Sequence, residues 1–446
     1  MITLSERREL PDGLVLRRAI PADAESIAEL QARAQSDPGW DTPDEGVRAW
    51  VFDLLTRPHP TFHPEDFVVV EDSHTGAIVS SMCLISQTWR YGDVPFNFGR
   101  PELVATHPDY RRRGLVRAQF ELLHALSAER GELVQGITGI PWYYRQFGYE
   151  MTVELFGARM GYAPHVRALK EGEAEPYHLR PAIEADIPFL MATEAHAATR
   201  SLLGCVRDAA LCRYDLAGRS SENCEHRAWR IIQTPEGEPV GYLAHPVPLW
   251  GNAIFVTAYE LQSGVSWLAV TPVIVRYLWA YGAQAKPSFA SQKAVCESFA
   301  FALGGAHPAY EAFVAGLPRV QPPYAWYMRV PDLPAFLRHI TPVLEARLAL
   351  SIAAGHSGEL TIGFYRRGLR FVFERGRITE IAPWEPQVRD TGAAEFPGLT
   401  FLQLLFGHRS LAELRYAFPD CGASPEATVL LNALFPKQAS CIWHLS

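Results

Sequence analysis

At 446 residues the chain exceeds what one hydrophobic core usually serves, and its length implies roughly two to four domains. With 48% apolar and 20% charged residues it has the composition of a globular protein, not of a disordered one. A formal net charge of −8 and a pI near 6.0 argue against nucleic-acid phosphates as partner, and no apolar run approaches the roughly 18 residues of a membrane helix.

The first ten residues, MITLSERREL, carry charges with no apolar stretch behind them, which reads as a soluble, unexported chain. Seven cysteines (Cys83, Cys205, Cys212, Cys224, Cys296, Cys421 and Cys441) are scattered, odd in number and never paired as Cys-x-x-Cys. That usage fits reduced thiols in a cytoplasm, most of them small buried hydrophobes.

Leu16-Arg17-Arg18-Ala19-Ile20-Pro21-Ala22-Asp23 returns as Leu179-Arg180-Pro181-Ala182-Ile183-Glu184-Ala185-Asp186, six of eight positions agreeing. Both copies read as a short strand, a turn with a capping Asp, and an apolar-periodic helix, so two tandem domains of one fold are expected. Strand–turn–strand patterns follow each copy, at Asp66–Ile85 and at Ala228–Ala244 with a further strand over Ala253–Leu261. The Pro-rich Leu317–Tyr324 (LPRVQPPY) reads as a linker, and Pro331–Leu350 as one helix with a single apolar stripe. Beyond it, strands at Leu360–Phe364, Leu369–Glu374 and Arg377–Ile381 and helices over Thr400–Leu405, Ser410–Phe418 and Ala427–Leu434 make a third, α+β unit. The predicted fold class is α/β with mixed sheets, divided as residues 1–165, 166–330 and 331–446.

The most informative stretch is Glu102 to Phe120 (ELVATHPDYRRRGLVRAQF). A strand enters it and a long helix leaves it at the Arg/Gly turn, so free backbone N–H groups and the positive helix end face that turn. A diphosphate needs converging N–H donors with no side chain in the way, which Gly114 provides and Arg111, Arg112 and Arg113 surround with charge. A basic turn before a helix is also a common solvated surface, and the surrounding order decides between the two readings. Val104-x-Thr106-x-Pro108-x-x-Arg111-x-x-Gly114 is similar to motif A of the GNAT acetyltransferase superfamily, with Arg111 and Gly114 on its fixed positions and Val116 in place of the usual Gly or Ala. Arg111-Arg112-Arg113-Gly114-Leu115 followed by a branched residue and Arg resembles the enhanced-intracellular-survival (Eis) acetyltransferases. A second match, Tyr144-x-x-Phe147-Gly148-Tyr149, is like the GNAT pattern Tyr-x-x-φ-Gly-φ, φ being apolar or aromatic, with Tyr144 on its Tyr.

The resemblance implies tandem GNAT domains followed by a sterol-carrier-protein-like domain, with acetyl-CoA as co-substrate and an oligomeric assembly; no His, Cys, Asp or Glu cluster has metal-ligand spacing, so no metal is expected. Val104, Ala105, Thr106, Arg111, Arg112, Arg113, Gly114, Leu115 and Val116 would then hold acetyl-CoA, and Tyr144 would be the general acid for the departing thiolate. By position the α-carboxylate of Ser446 would be the base, with Glu102 and His444 as side-chain alternatives. For the acceptor, Asp37, Trp40, Asp41, Asp44 and Glu45 with Trp89, Tyr91, Phe96 and Glu102 suggest an acidic, aromatic pocket for an amine-bearing cation. The implied reaction is acetyl transfer to a primary amine of an aminoglycoside-, polyamine- or lysine-like small molecule, by direct attack in a ternary complex. A non-catalytic binder of acetyl-CoA or of an apolar ligand is the alternative. Neither a nucleic acid nor a membrane is an expected partner. Gln262-Ser263-Gly264 stands where a second Arg-x-x-Gly turn would fall, so the second domain is expected to lack an acetyl-CoA site.

Overall fold

The computed structural model describes residues 7–37, 39–288, 295–386 and 392–442. It is a mixed α/β protein whose described strands form three sheets. The largest runs in the order Arg8–Leu10, Leu14–Arg18, Phe67–Asp72, Ile78–Tyr91, Val94–Thr106, Val134–Ile137, Arg319–Arg329, Glu150–Tyr162, Ser298–Phe301 and Ala253–Val256. A second sheet joins Ala258–Leu261, Pro239–Pro246, Arg227–Gln233 and His178–Pro181. The third contains Gly358–Gly363, Gly368–Glu374 and Arg377–Trp384, packed under the helices Phe401–Leu405, Leu411–Ala417 and Pro425–Leu434.

The repeated octapeptide folds into the same local structure twice. Arg17 clasps Asp23 through two hydrogen bonds of 2.6 and 2.8 Å, and Arg180 clasps Asp186 through two of 2.7 Å. Each Asp also accepts the backbone N–H three residues before it, from Ile20 at 2.8 Å and from Ile183 at 2.9 Å. Even the exit matches, since Ala19 N–H donates to Phe67 and Ala182 N–H to Trp229.

Leu317–Tyr324 does not behave as a linker. Arg319–Arg329 is a strand that pairs with Glu150–Tyr162 along its length and with Val134–Ile137 at Tyr327–Arg329 only. Pro322 and Pro323 fall in the half flanked on one side, where a missing N–H is tolerated. The last strand of residues 166–330 is thereby built between two strands of residues 1–165, in a sheet that also takes up Ser298–Phe301 and Ala253–Val256. The expected strand Ala253–Leu261 is also two strands, breaking at Thr257 to pass from one sheet to another. The expected helix Pro331–Leu350 is likewise two, Leu333–His339 and Thr341–Ala349, because Pro342 has no N–H to continue the first. Its stripe is nonetheless core: Phe336, Leu337, Ile340, Leu344 and Leu348 are fully buried against the largest apolar cluster.

All seven cysteines are unpaired, and among the described residues no helix is long and apolar enough to cross a membrane. Burial pushes the imidazoles of His59, His245 and His408 down to about 4 and that of His124 to about 3. In the unfolded chain they titrate near ~6.5, so below that pH the unfolded state binds more protons and stability falls. The urea midpoint is therefore expected to drop steadily between pH 7 and 4; a midpoint flat over that window would contradict this protonation picture.

Candidate active site

Val94–Thr106 and Val134–Ile137 run parallel but pair only at Phe98 with Val134 and Gly99 with Gln135. Beyond those two positions the ladder stops, and the facing backbone of the two strands is left unjoined. On the other side of the first strand, Met82 opposes two residues, Leu103 and Val104, because the register passes from Cys83–Glu102 to Ser81–Ala105. Leu103 takes a left-handed φ of 54° in this bulge, held by the Gln31 side-chain amide on its carbonyl and by Gln35 on that of Val104.

After Thr106 the chain makes a short turn at Pro108–Tyr110 and enters the helix Leu115–Glu129. Arg112 and Gly114 both have positive φ, 65° and 77°, which folds the backbone of Arg111–Gly114 around the helix N-terminus. No atom lies within 4 Å of where a Gly114 side chain would begin, so the cradle is open. Arg111, Arg112 and Arg113 are exposed at its rim, Arg113 stacked 4.8 Å over Tyr110. Leu115 is buried as the anchor, and Val116 packs partly against the helix–sheet core. The turn thus fits a diphosphate: converging donors, positive charge, and a glycine whose backbone conformation other residues resist. Gly114→Val is expected to weaken acetyl-CoA binding about tenfold or more in calorimetric titration, because the left-handed conformation costs about 1–2 kcal/mol and its relief moves the donors. Unchanged affinity would remove this turn from the site. In the second unit the corresponding helix, Trp267–Gly282, is capped by Ser266, whose hydroxyl accepts from Ala269 N–H, and no basic turn precedes it.

Tyr144 is 5% exposed, on the short turn Tyr143–Phe147. Its hydroxyl lies 3.3 Å from where a Gly139 side chain would begin, just past the end of Val134–Ile137. Burial, and next the carboxylate of Glu102, push its phenol above the usual tyrosine range, so it stays protonated at neutral pH. Glu102 itself is engaged: Arg100, fully buried, donates to it at 2.6 and 3.0 Å, and Leu103 N–H at 3.2 Å.

A cleft of 1190 Å³ opens beside this point. Asp37, Asp44, Glu45 and Thr138 line it from residues 1–165, and Glu222, Glu225, His226, Trp250, Tyr281 and Lys286 from residues 166–330. Glu45 and Glu225 are paired to Arg48 and Arg227, whereas Asp37 and Glu222 have no cationic partner among the described residues. Burial, then Arg219 and Arg227, lower the pKa of His226 and keep it neutral. The sequence pointed to Asp37, Asp44 and Glu45 but not to the lining from residues 166–330, which apart from Tyr281 on the helix Trp267–Gly282 comes from loops and a bridge with neither motif nor periodicity.

Other expected pocket residues are placed elsewhere. Trp89 is fully buried, stacked on Phe98 at 3.8 Å, and Tyr91 and Phe96 join it in the core, so none of the three lines the cleft. Trp40 packs edge-on against His107, 4.8 Å away and beside the basic turn, and Glu102 faces Arg100 instead of the cleft. Ser446 and His444 lie outside the described residues. The described end of the chain, Ile442, accepts a hydrogen bond from Trp326, whose ring is 5.7 Å from the Arg100 guanidinium. No group of three or more His, Cys, Asp or Glu among the described residues is placed to hold a metal ion.

These features coincide with what sequence and structure comparisons find. Residues 16–152 match the family described as "Acetyltransferase (GNAT) domain". The chain therefore carries a GNAT acetyltransferase domain and is an acyltransferase. A probable N-acyltransferase from Enterococcus faecalis V583, itself described as a conserved protein of unknown function, superposes with a TM-score of 0.67 at 14% identity, covering 96% of this chain and 98% of that one. A GCN5-related N-acetyltransferase from Kribbella flavida gives 0.61 at 17% identity, covering 96% and 97%. Eis1 from Mycobacterium abscessus gives 0.56 at 15%, covering 96% and 99%. At these identities the likeness is one of fold, and it runs the length of the chain. No curated protein matches the sequence.

Proposed function

We propose that the chain transfers acetyl from acetyl-CoA to a primary amine of a cationic small molecule, by direct attack in a ternary complex. The observation that carries this reading is the meeting of cleft and acid at one point. Thr138 lines the acidic cleft, and the next residue, Gly139, lies against the Tyr144 hydroxyl. An amine held by Asp37, Asp44 and Glu222 thus approaches where Tyr144 can protonate a leaving thiolate.

Acetyl-CoA would bring the thioester to be cleaved. The turn Arg111–Val116 binds its diphosphate, and Val104–Thr106 runs beside its arm, where a backbone N–H faces the developing oxyanion. As the C–N bond forms and the C–S bond breaks, Tyr144 gives its proton to sulfur and the amine's proton passes to a base. The boundaries at 165/166 and 330/331, the sterol-carrier-like character of residues 331–446, a cytoplasmic homo-oligomer, and the absence of nucleic-acid, membrane or metal partners belong to the same proposal.

The test is a thiol-release assay with acetyl-CoA against polyamines, aminoglycosides, lysine peptides and neutral arylalkylamines, beside titration of acetyl-CoA alone. Turnover that favours polycations, with a KM that rises at high salt and in the Asp37→Asn/Glu222→Gln variant, supports the reading. Acetyl-CoA binding with no turnover across the panel would overturn it.

A further inference from the structure

The turn that carries Tyr144 is poorly held by its own backbone. Gly139, Trp142 and Gly148 all have positive φ, at 127°, 65° and 88°. Gly148 N–H to Arg145 O, at 3.1 Å, is of ordinary length, but three hydrogen bonds inside the turn are long, Tyr143 N–H to Ile140 O, Arg145 N–H to Trp142 O and Tyr149 N–H to Tyr144 O at 3.3 Å each. Bonds of that length contribute little orientation.

Two hydroxyls from outside supply what the turn lacks. Trp142 N–H donates to the Tyr327 hydroxyl at 2.6 Å, and the Tyr324 hydroxyl donates to the carbonyl of Gly139. Tyr327 is fully buried, its ring 5.8 Å from that of Tyr144. Gly139 and Trp142 shortly precede the acid in the chain, and the Tyr144 hydroxyl lies 3.3 Å from where a Gly139 side chain would begin. Both tyrosines come from Arg319–Arg329, the last strand of residues 166–330, which inserts between Val134–Ile137 and Glu150–Tyr162.

We propose that Tyr327 is a positioning residue for acetyl transfer, setting through Trp142 where the Tyr144 hydroxyl sits, with Tyr324 as the second pin. The assignment rests on the reading of Tyr144 as general acid. It gives the inserted strand a chemical role, because the segment that closes the second unit, one wall of the acceptor cleft, also fixes the first unit's proton donor. Packing alone would be served as well by phenylalanine at 327, since the ring fills the core and only the hydroxyl reaches Trp142.

A double-mutant cycle on the full chain separates the roles. Tyr327→Phe should lower kcat about tenfold with the KM for acetyl-CoA within about twofold, because the lost contact misplaces the acid without touching the basic turn. In a Tyr144→Phe background the same change should cost nothing further, as expected when two residues act through one group. Tyr324→Phe should follow the same pattern more weakly, and serves if Tyr327→Phe fails to fold. Unchanged kcat in folded Tyr327→Phe, or losses that multiply with Tyr144→Phe, overturn the positioning role alone. Full activity in Tyr144→Phe would instead overturn the acid assignment and this role with it.

Discussion

Tyr144→Phe is expected to lower turnover about 10²-fold while leaving acetyl-CoA affinity nearly unchanged, because it deletes one proton donor and no binding contact. The arrangement explains the size. At 5% exposure the phenol has little water to replace it as a donor, and Gly139, which offers no side chain, is the neighbour that lets its hydroxyl come close to the backbone. Burial and Glu102 raise its pKa, so across the neutral range the group stays protonated and no basic limb of the rate profile arises from it. An acidic limb is expected instead, from the acceptor's ammonium and its base, and should persist in the variant. Thiol release at substrate saturation measures the effect; a loss below about threefold would mean that solvent or another group protonates the thiolate.

How much the sequence made legible depends on the range over which each feature is determined. The shape of the basic turn was readable because strand, glycine turn and helix are contiguous: the left-handed φ at Gly114, the buried Leu115 and the exposed arginines are all set by neighbours within a few residues. The duplication was readable for the same reason, since each Arg–Asp clasp closes across six residues. Arg319–Arg329 was not, because its partner strand Glu150–Tyr162 is remote in the chain and Pro322-Pro323 carries a turn signature that only a one-sided ladder excuses. Trp89 was misassigned on chemical grounds: a large aromatic has the same identity whether it walls a pocket or stacks on Phe98, and only burial tells them apart. The cleft lining from residues 166–330 offers a third case. Glu222, Glu225 and His226 sit on a loop whose position is set by a buried acid 167 positions before Ser220 in the chain.

That residue is Asp53, on the helix Glu45–Thr56, and Asp53→Ala is expected to damage acceptor binding far more than acetyl-CoA binding. Its side chain is nearly inaccessible, and one carboxylate oxygen accepts three hydrogen bonds at 2.8 Å, from Ser220 N–H, the Ser220 hydroxyl and the Asn223 amide. The other oxygen pairs with Arg57 at 2.9 Å, an exposed partner whose loss matters little. Directly after Ser220 come Ser221, Glu222, Asn223, Cys224 and Glu225, all lining the cleft, with Cys224 N–H bonded to Gly46 O at 3.1 Å. Alanine leaves three donors without their acceptor in a buried junction, a cost of about 2–4 kcal/mol, and frees the loop that carries the unpaired Glu222. Asparagine keeps an acceptor oxygen and should be much milder, which separates the loss of an acceptor from the loss of a charge. The expected pattern for Asp53→Ala is a lower midpoint of thermal unfolding and a KM for the cationic acceptor raised about tenfold, with acetyl-CoA titrating as before. Because helix and basic turn lie in the same unit, a parallel loss of acetyl-CoA affinity would show that Asp53 supports the whole first unit; an unchanged acceptor KM in a folded variant would remove the Ser220–Glu225 loop from the acceptor site.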